Sequence, residues 1–260
     1  MMKSKQLLLL GASVLAGVLV ISSASLPALA NTGSASRYDA AIQSKVSQLL
    51  TKDEFRNVQA STEDGIVTLQ GSVDRYRAKL DAEKKVRKAD HVQGVRDLLD
   101  VAGASIPDSE LQAKLARKLA YDRYGYGHVF NALTLGVKDG VVTLGGEVIN
   151  YPDRDSAISL VQNEPGVKDV VANIKVLPTS IFDDQLRLRL ARVIYGDPVL
   201  SRYAIDPQAP IRIVVDNGHV TLLGMVDSAM DKQIAGIRAS SVFGAFSVDN
   251  DLAVAKPIAR

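Results

Sequence analysis

Along this chain the apolar positions switch between two periods, and the switch happens three times. Ile42, Val46 and Leu49, then Leu111, Leu115 and Leu119, then Leu186, Leu190 and Val193 recur at helical spacing, which sets one side of each segment against a core. A β-branched or alternating run follows each: Val58-Gln59-Ala60, Leu133 through Val137, and Ile211 through Val215. Next comes Asp64-Gly65-Ile66-Val67-Thr68-Leu69-Gln70-Gly71-Ser72-Val73, which recurs as Asp139 through Val148 and as Asn217 through Val226, at spacings of 75 and 78 residues. Asp-Gly and Asn-Gly supply the two positive φ angles of a type I′ turn, so each copy predicts a β-hairpin. After the turn, alternation such as Val67, Leu69, Gly71, Val73 predicts a sheet with one buried face. Gly71, Gly146 and Gly224 share one place in the pattern and predict a bulge or a close backbone approach.

A second helix is expected after each hairpin, over about residues 75–89, 153–163 and 230–240. A glycine-led turn and a third strand then follow, starting at Gly94, Gly166 and Gly244. Ser36, Asp108 and Ser180 are candidate N-caps of the first helices. The module reads helix, strand, strand, helix, strand. A hairpin plus a strand–helix–strand crossover gives a mixed three-stranded sheet with two helices on one face. The fold class is therefore α+β, with three tandem modules over residues 37–104, 108–177 and 180–256 joined by short linkers.

The first 36 residues fall outside the repeats. Lys3 and Lys5 precede an apolar run from Leu7 to Ile21, and Ala28-Leu29-Ala30 closes the segment with small residues. These are the parts of a secretory signal peptide over residues 1–30, cleaved after Ala30, with residues 31–36 as a linker. An uncleaved anchor is the other reading, and the run is short against the ~20 residues a spanning helix needs. No later stretch is long and apolar enough to span a bilayer, so no transmembrane segment is expected after cleavage. Removing the segment takes away two lysines and leaves 29 acidic residues balanced by an equal number of lysines and arginines. Such a chain draws no anionic partner by its overall field; a local patch must do so. The sequence has no cysteine, which excludes disulfides and thiolate chemistry.

The repeated Asp-Gly-x-Val-Thr-Leu-x-Gly-x-Val of the hairpins resembles the BON domain family, a module of bacterial envelope proteins. So do Gly166-Val167-x-x-Val170-x-x-x-Ile174-x-Val176 and the related Val248 through Val254. The likeness covers nearly all of the chain after the first 36 residues, with Asp97 to Val101 the poorest fit. It implies a periplasmic protein with no catalysis and no cofactor. Some relatives of this kind are induced by osmotic or envelope stress, and some bind anionic phospholipid through a helix of the module.

The residues themselves point away from enzymes. His91, His128 and His219 stand in three different contexts without metal-ligand spacing, and no Gly-x-Ser-x-Gly elbow or phosphate loop occurs. No catalytic residue or metal site is assigned. No Gly-x-x-Gly clamp stands between helices, so no nucleic acid partner is expected.

Two features stand out. In the second helix of repeat one, Ala78, Ala82, Val86 and Ala89 form a packing face. Tyr76, Arg77, Leu80, Lys84, Arg87 and Lys88 lie opposite, with Asp81 and Glu83 at the edges. Basic side chains around an exposed tyrosine and leucine suit a peripheral anionic phospholipid surface. A solvated helix laced with Asp81–Lys85 and Glu83–Arg87 pairs fits the same residues. The second feature is the lengthened loop of repeat two. The chain has 8 tyrosines and 5 phenylalanines, so Tyr121, Tyr124, Tyr126 and Phe130, with Arg123 among them, are a concentration. These rings suit an outer-membrane or cell-wall protein partner, or they pack on the neighbouring repeat.

Overall fold

The computed structural model describes residues 36–122, 129–205 and 210–255. The signal peptide and its cleavage point, most of the linker, and Arg123, Tyr124, Tyr126 and His128 lie outside the described residues. Repeat one comprises α1 (Asp39–Leu49), β1 (Val58–Glu63), β2 (Ile66–Val73), α2 (Tyr76–Arg87) and β3 (Gly94–Val101). Repeat two comprises α3 (Asp108–Asp122), β4 (Ala132–Lys138), β5 (Val141–Val148), α4 (Tyr151–Gln162) and β6 (Asp169–Val176). Repeat three comprises α5 (Ile181–Tyr195), β7 (Arg212–Asp216), β8 (His219–Leu223), β9 (Met225–Val226), α6 (Ala229–Ser240), β10 (Ser247–Asn250) and β11 (Ala253–Val254).

Each sheet is mixed and three-stranded, with orders β1-β2-β3, β4-β5-β6 and β7-β8-β10. The hairpin partners are antiparallel, as in Glu63↔Ile66, and the returning strand is parallel, as in Ile66↔Gly94. In repeat three the central strand breaks at Gly224 and resumes as β9, which pairs with β11. β3 forms in full despite Arg96, Asp97 and Asp100. It is an edge strand, where the outward Arg96 and Asp100 are tolerated and discourage further pairing, while Asp97, on the face of Leu99 and Val101, pairs with Lys79 of α2 at 3.9 Å.

The hairpin turns have the predicted geometry. Asp64 and Gly65 have φ of 50° and 77°, and the turns at Asp139 and Asn217 match them. Gly71, Gly146 and Gly224 have φ of 104°, 95° and 117°. A Cβ at any of the three would overlap the carbonyl oxygen of Asn57, Ala132 or Pro210 on the neighbouring segment. The shared glycine is a close backbone approach.

Three local expectations need correction. Ser36 begins a short 3-10 turn over Ser36–Tyr38 and caps nothing, since Tyr38 holds the N-cap place of α1 without a side-chain bond. Asp108 is the first residue of α3, and its carboxylate reaches across to the hairpin instead. In repeat one the left-handed turn residue before the third strand is His91 (φ 66°), not Gly94, which already belongs to β3. The Tyr38 ring stacks on His91 with centroids 3.9 Å apart. Ser180 does cap α5, accepting from the Asp183 N–H at 3.2 Å. Asn150 and Ser228 cap α4 and α6 in the same way.

A carboxylate at the start of each first helix clamps the hairpin turn of its own repeat. Asp39 accepts from the N–H groups of Asp64 (3.0 Å) and Gly65 (2.8 Å). Asp108 accepts from Asp139 (2.7 Å) and Gly140 (3.0 Å). Asp183 accepts from Asn217 (3.0 Å) and Gly218 (2.9 Å). Two charge-assisted bonds thus hold each turn, whose N–H groups have no ladder partner.

Candidate functional site: the outer face of α2

The packing face of α2 is as expected. Ala78, Ala82, Val86 and Ala89 are buried, three of them in one cluster with Ile42, Val46, Val67 and Leu69. The small side chains let the helix lie close on the sheet. The opposite face divides in two along its length.

Its first turn belongs to a contact between repeats. Tyr76 is half-buried, not exposed as expected, and packs against the cores of both repeat one and repeat two. Burial, followed by a hydrogen bond to the Asp169 carboxylate, pushes its phenol up to about 12. Arg77 pairs with Asp81 at 3.1 Å and donates to Gln162 of α4 at 3.4 Å. Asp81 therefore turns back to Arg77 and not forward to Lys85. Lys85 instead lies over the Phe55 ring, 5.5 Å from its centroid. Leu80 is half-buried.

The last turn remains open to solvent. Lys84, Arg87 and Lys88 are exposed. Arg87 pairs with Glu83, as the helical spacing allows. Lys84 and Lys88 form no ion pair among the described residues. Cations in a last turn also suit the negative end of the helix dipole, so part of this placement is structural. The matching positions of α4 are Ser159, Gln162 and Asn163, and those of α6 are Ile237, Ser240 and Ser241. The same face of the module is cationic in repeat one, neutral in repeat two and partly apolar in repeat three.

Of the aromatic segment of repeat two, the described rings Tyr121 and Phe130 do not share one surface. Phe130 is buried in the core of repeat three with Leu186, Leu190 and Ile211, so it is not an exposed partner contact. The Arg212 side chain donates to the Asn131 carbonyl at 2.9 Å beside it. Tyr121 is exposed and borders a groove of ≈ 650 Å³ between α3 and α4 with Lys118, Ser156, Ser159, Leu160, Asn163 and Glu164. Glu164 is 1% exposed and sits between the ammonium groups of Lys114 and Lys118, each at 2.6 Å. Burial raises its carboxyl, but the two lysines outweigh that and hold it below the usual range.

Buried carboxylates in repeat three are likewise structural. Asp231 accepts from the Tyr203 hydroxyl at 2.5 Å and pairs with Arg202. Burial pushes it up, and the bonds from Tyr203, Ser228 and Arg202 bring it below its ordinary value. Asp197 is held low first by the Val199 N–H and then by Arg238 at 2.7 Å. No group of three or more histidine, aspartate or glutamate side chains that could hold a metal occurs among the described residues. No helix among them is long and apolar enough to cross a membrane.

Sequence reasoning overlooked Phe182, Phe243 and Phe246, which are exposed at one end of repeat three. The signal was available in Ser241-Val242-Phe243-Gly244-Ala245-Phe246, an uncharged apolar turn. The matching turns are Lys88-Ala89-Asp90-His91-Val92-Gln93 and Asn163-Glu164-Pro165-Gly166-Val167-Lys168.

Several known proteins are similar to this chain. Osmotically-inducible protein Y of Escherichia coli (strain K12) is 32% identical over 151 residues, which are 53% of this chain and 72% of that protein. Among solved structures, the C-terminal domain of CdsD, a structural protein of the type III secretion system of Chlamydia trachomatis, aligns at 14% identity. That alignment covers 83% of this chain and 96% of the other, with a TM-score of 0.23. The periplasmic domain of the type III secretion inner membrane protein PrgH from S. typhimurium aligns at 11% identity over 80% of this chain and 97% of the other, with a TM-score of 0.18. Neither superposition bears on fold or function. The BON domain matches three times, over residues 38–103, 107–178 and 183–256, and the chain belongs to the BON domain family.

Proposed function

We propose that this is a non-catalytic periplasmic protein of the osmotic-stress response that peripherally contacts anionic phospholipid through the last turn of α2. Osmotic induction is carried over from the name of the Escherichia coli relative. Export is carried over from the basic, apolar and small-residue order of residues 1–30. The observation that carries the lipid contact is the exposure of Lys84, Arg87 and Lys88 on a face that is uncharged in the other two repeats. Each cation near an anionic surface contributes roughly 1 kcal/mol. Tyr76 and Arg77 are left out of the patch because they face repeat two.

The test is co-sedimentation with liposomes of the chain lacking residues 1–30, whose apolar run would itself enter a bilayer. Binding is expected to anionic vesicles only and to weaken as salt screens the charges. Lys84→Glu/Arg87→Glu/Lys88→Glu is expected to abolish it at low salt. Unchanged binding by that variant removes α2 from the reading.

A second reading is a scaffold that meets an outer-membrane or cell-wall protein at the aromatic segment of repeat two. The groove beside Tyr121 favours it, and the burial of Phe130 weighs against it. Unchanged recovery of a partner by Tyr124→Ala/Tyr126→Ala would count against this scaffold.

A further inference from the structure

Three of the five phenylalanines in the chain stand at one end of repeat three. Phe243 is 89% exposed, Phe246 77% and Phe182 46%. Exposed rings of this kind, without the polar handle of tyrosine, mark a contact surface. The end is a tip built from the turn after α6, the β7–β8 turn and the start of α5. The Phe246 ring lies over Gly218, and Phe182 lies beside Gly244.

The polar groups of the tip indicate what covers it. Four of the six backbone donors of residues 241–246 are used internally: Ser241 to Ile237, Val242 to Ala239, Ala245 to Val242 and Phe246 to Gly218. The N–H groups of Asn217 and Gly218 are held by the buried Asp183. Residues 241–246 bear no charge. An uncharged turn with most of its donors paired seats its rings below the headgroups, with the Phe243 and Gly244 N–H groups left for headgroup oxygens and water. At the base of the tip, Arg189 is half-buried: its Nε is buried without a hydrogen-bond partner, its Nη2 lies beside Gly244 and Phe182, and it forms no ion pair among the described residues. A cation on an apolar stem, just behind an apolar tip, matches the headgroup level of an anionic bilayer. The equivalent turns of repeats one and two carry Lys88, Asp90, Glu164 and Lys168 and cannot do this.

We infer that the tip of repeat three, Phe243 and Phe246 with Arg189 behind them, inserts into the acyl region of an anionic membrane surface. The inference rests on the lipid reading above and adds a second, apolar contact distinct from α2.

The chain has no tryptophan, so Phe243→Trp is a single reporter. It is mixed, in the chain lacking residues 1–30, with phosphatidylglycerol–phosphatidylcholine vesicles with and without bromines on the acyl chains. A blue shift and quenching by the bromines are expected. At salt that screens charge, Phe243→Ser/Phe246→Ser is expected to lower partitioning roughly tenfold or more. Aqueous emission from protein that pellets with vesicles overturns the tip and leaves α2 as the lipid contact. A blue shift that grows with protein concentration in the absence of vesicles overturns it in favour of a second copy of the chain. Neither pelleting nor a shift overturns both readings. A bromine-quenched shift that survives the α2 charge reversal supports the tip and removes α2.

Discussion

Repeats one and three share a scaffold and differ in what they show to their surroundings. In both, a carboxylate at the start of the first helix holds the hairpin turn, and a glycine in the central strand lies against a carbonyl. In both, the second helix packs small residues on the sheet: Ala82 and Val86 in one, Ala235 and Ala239 in the other. Outside these positions they diverge. Repeat one presents Lys84, Arg87 and Lys88, whereas repeat three presents Met230, Ile237, Phe243 and Phe246. Beneath its surface, repeat three also buries Asp183, Arg187, Asp197 and Asp231, while no buried charged residue occurs among those described in repeat one. The repeat is thus a frame with a few obligatory positions, and its remaining surface is free to vary in chemistry.

The largest effect should come from a position that all repeats need. Gly146→Ala places a Cβ into the Ala132 carbonyl oxygen at a φ of 95°. A loss of ~3 kcal/mol or more is expected in denaturant unfolding. A variant of near wild-type stability would remove the glycine from the obligatory frame.

The turn clamp sharpens the comparison next. Asp183 is 1% exposed, and Asp39 is half-buried. Asp183→Ala leaves the buried Gly218 N–H without a partner, and about 3 kcal/mol is expected; Asp39→Ala lets water replace the carboxylate, and about 1 kcal/mol is expected. Equal losses would show that burial of the clamp does not matter.

Acid should separate the repeats without mutation. Glu164, Asp197 and Asp231 all titrate below their ordinary values when folded. Their stabilising contribution is complete above the unfolded carboxylate range of about 4 and is lost as pH falls through the lower folded values. Hydrogen exchange below about pH 4 is expected to accelerate in repeats two and three before repeat one. Asp231→Asn should flatten the acid dependence of repeat three. Acceleration in repeat one first would contradict this account.

The smallest effect is at His91, which holds the left-handed position that Gly166 and Gly244 take in the other repeats. His91→Gly relieves a strained backbone but removes the stack on Tyr38. A net stabilisation of under about 1 kcal/mol is expected from a thermal shift. Net destabilisation would mean that the stack outweighs the strain.

The hairpins, helices and sheet class were legible in the chain because each rests on local rules. Asp-Gly and Asn-Gly dictate a turn from two adjacent residues, and periods of two and 3.6 dictate faces. The candidate site was legible only in part. A helical wheel places Tyr76 and Lys84 on one side of α2, but it knows nothing of the neighbour that covers Tyr76 and leaves Lys84 open. The tip of repeat three was legible only as the uncharged turn from Ser241 to Phe246; that Phe182, some sixty residues earlier, joins it is decided by the fold.

By itself, then, the sequence determined three copies of one module, the order of its elements and the glycines it requires, since each follows from torsions and periodicity within a few residues. The tertiary structure alone decided that Asp39, Asp108 and Asp183 clamp the turns, each across a distance of 25 residues or more. It alone decided that Tyr76 and Phe130 face neighbouring repeats and that Lys84, Phe243 and Phe246 do not. The physical reason is that burial and pairing depend on which distant segment lies opposite, and a side chain carries no local mark of its future neighbour.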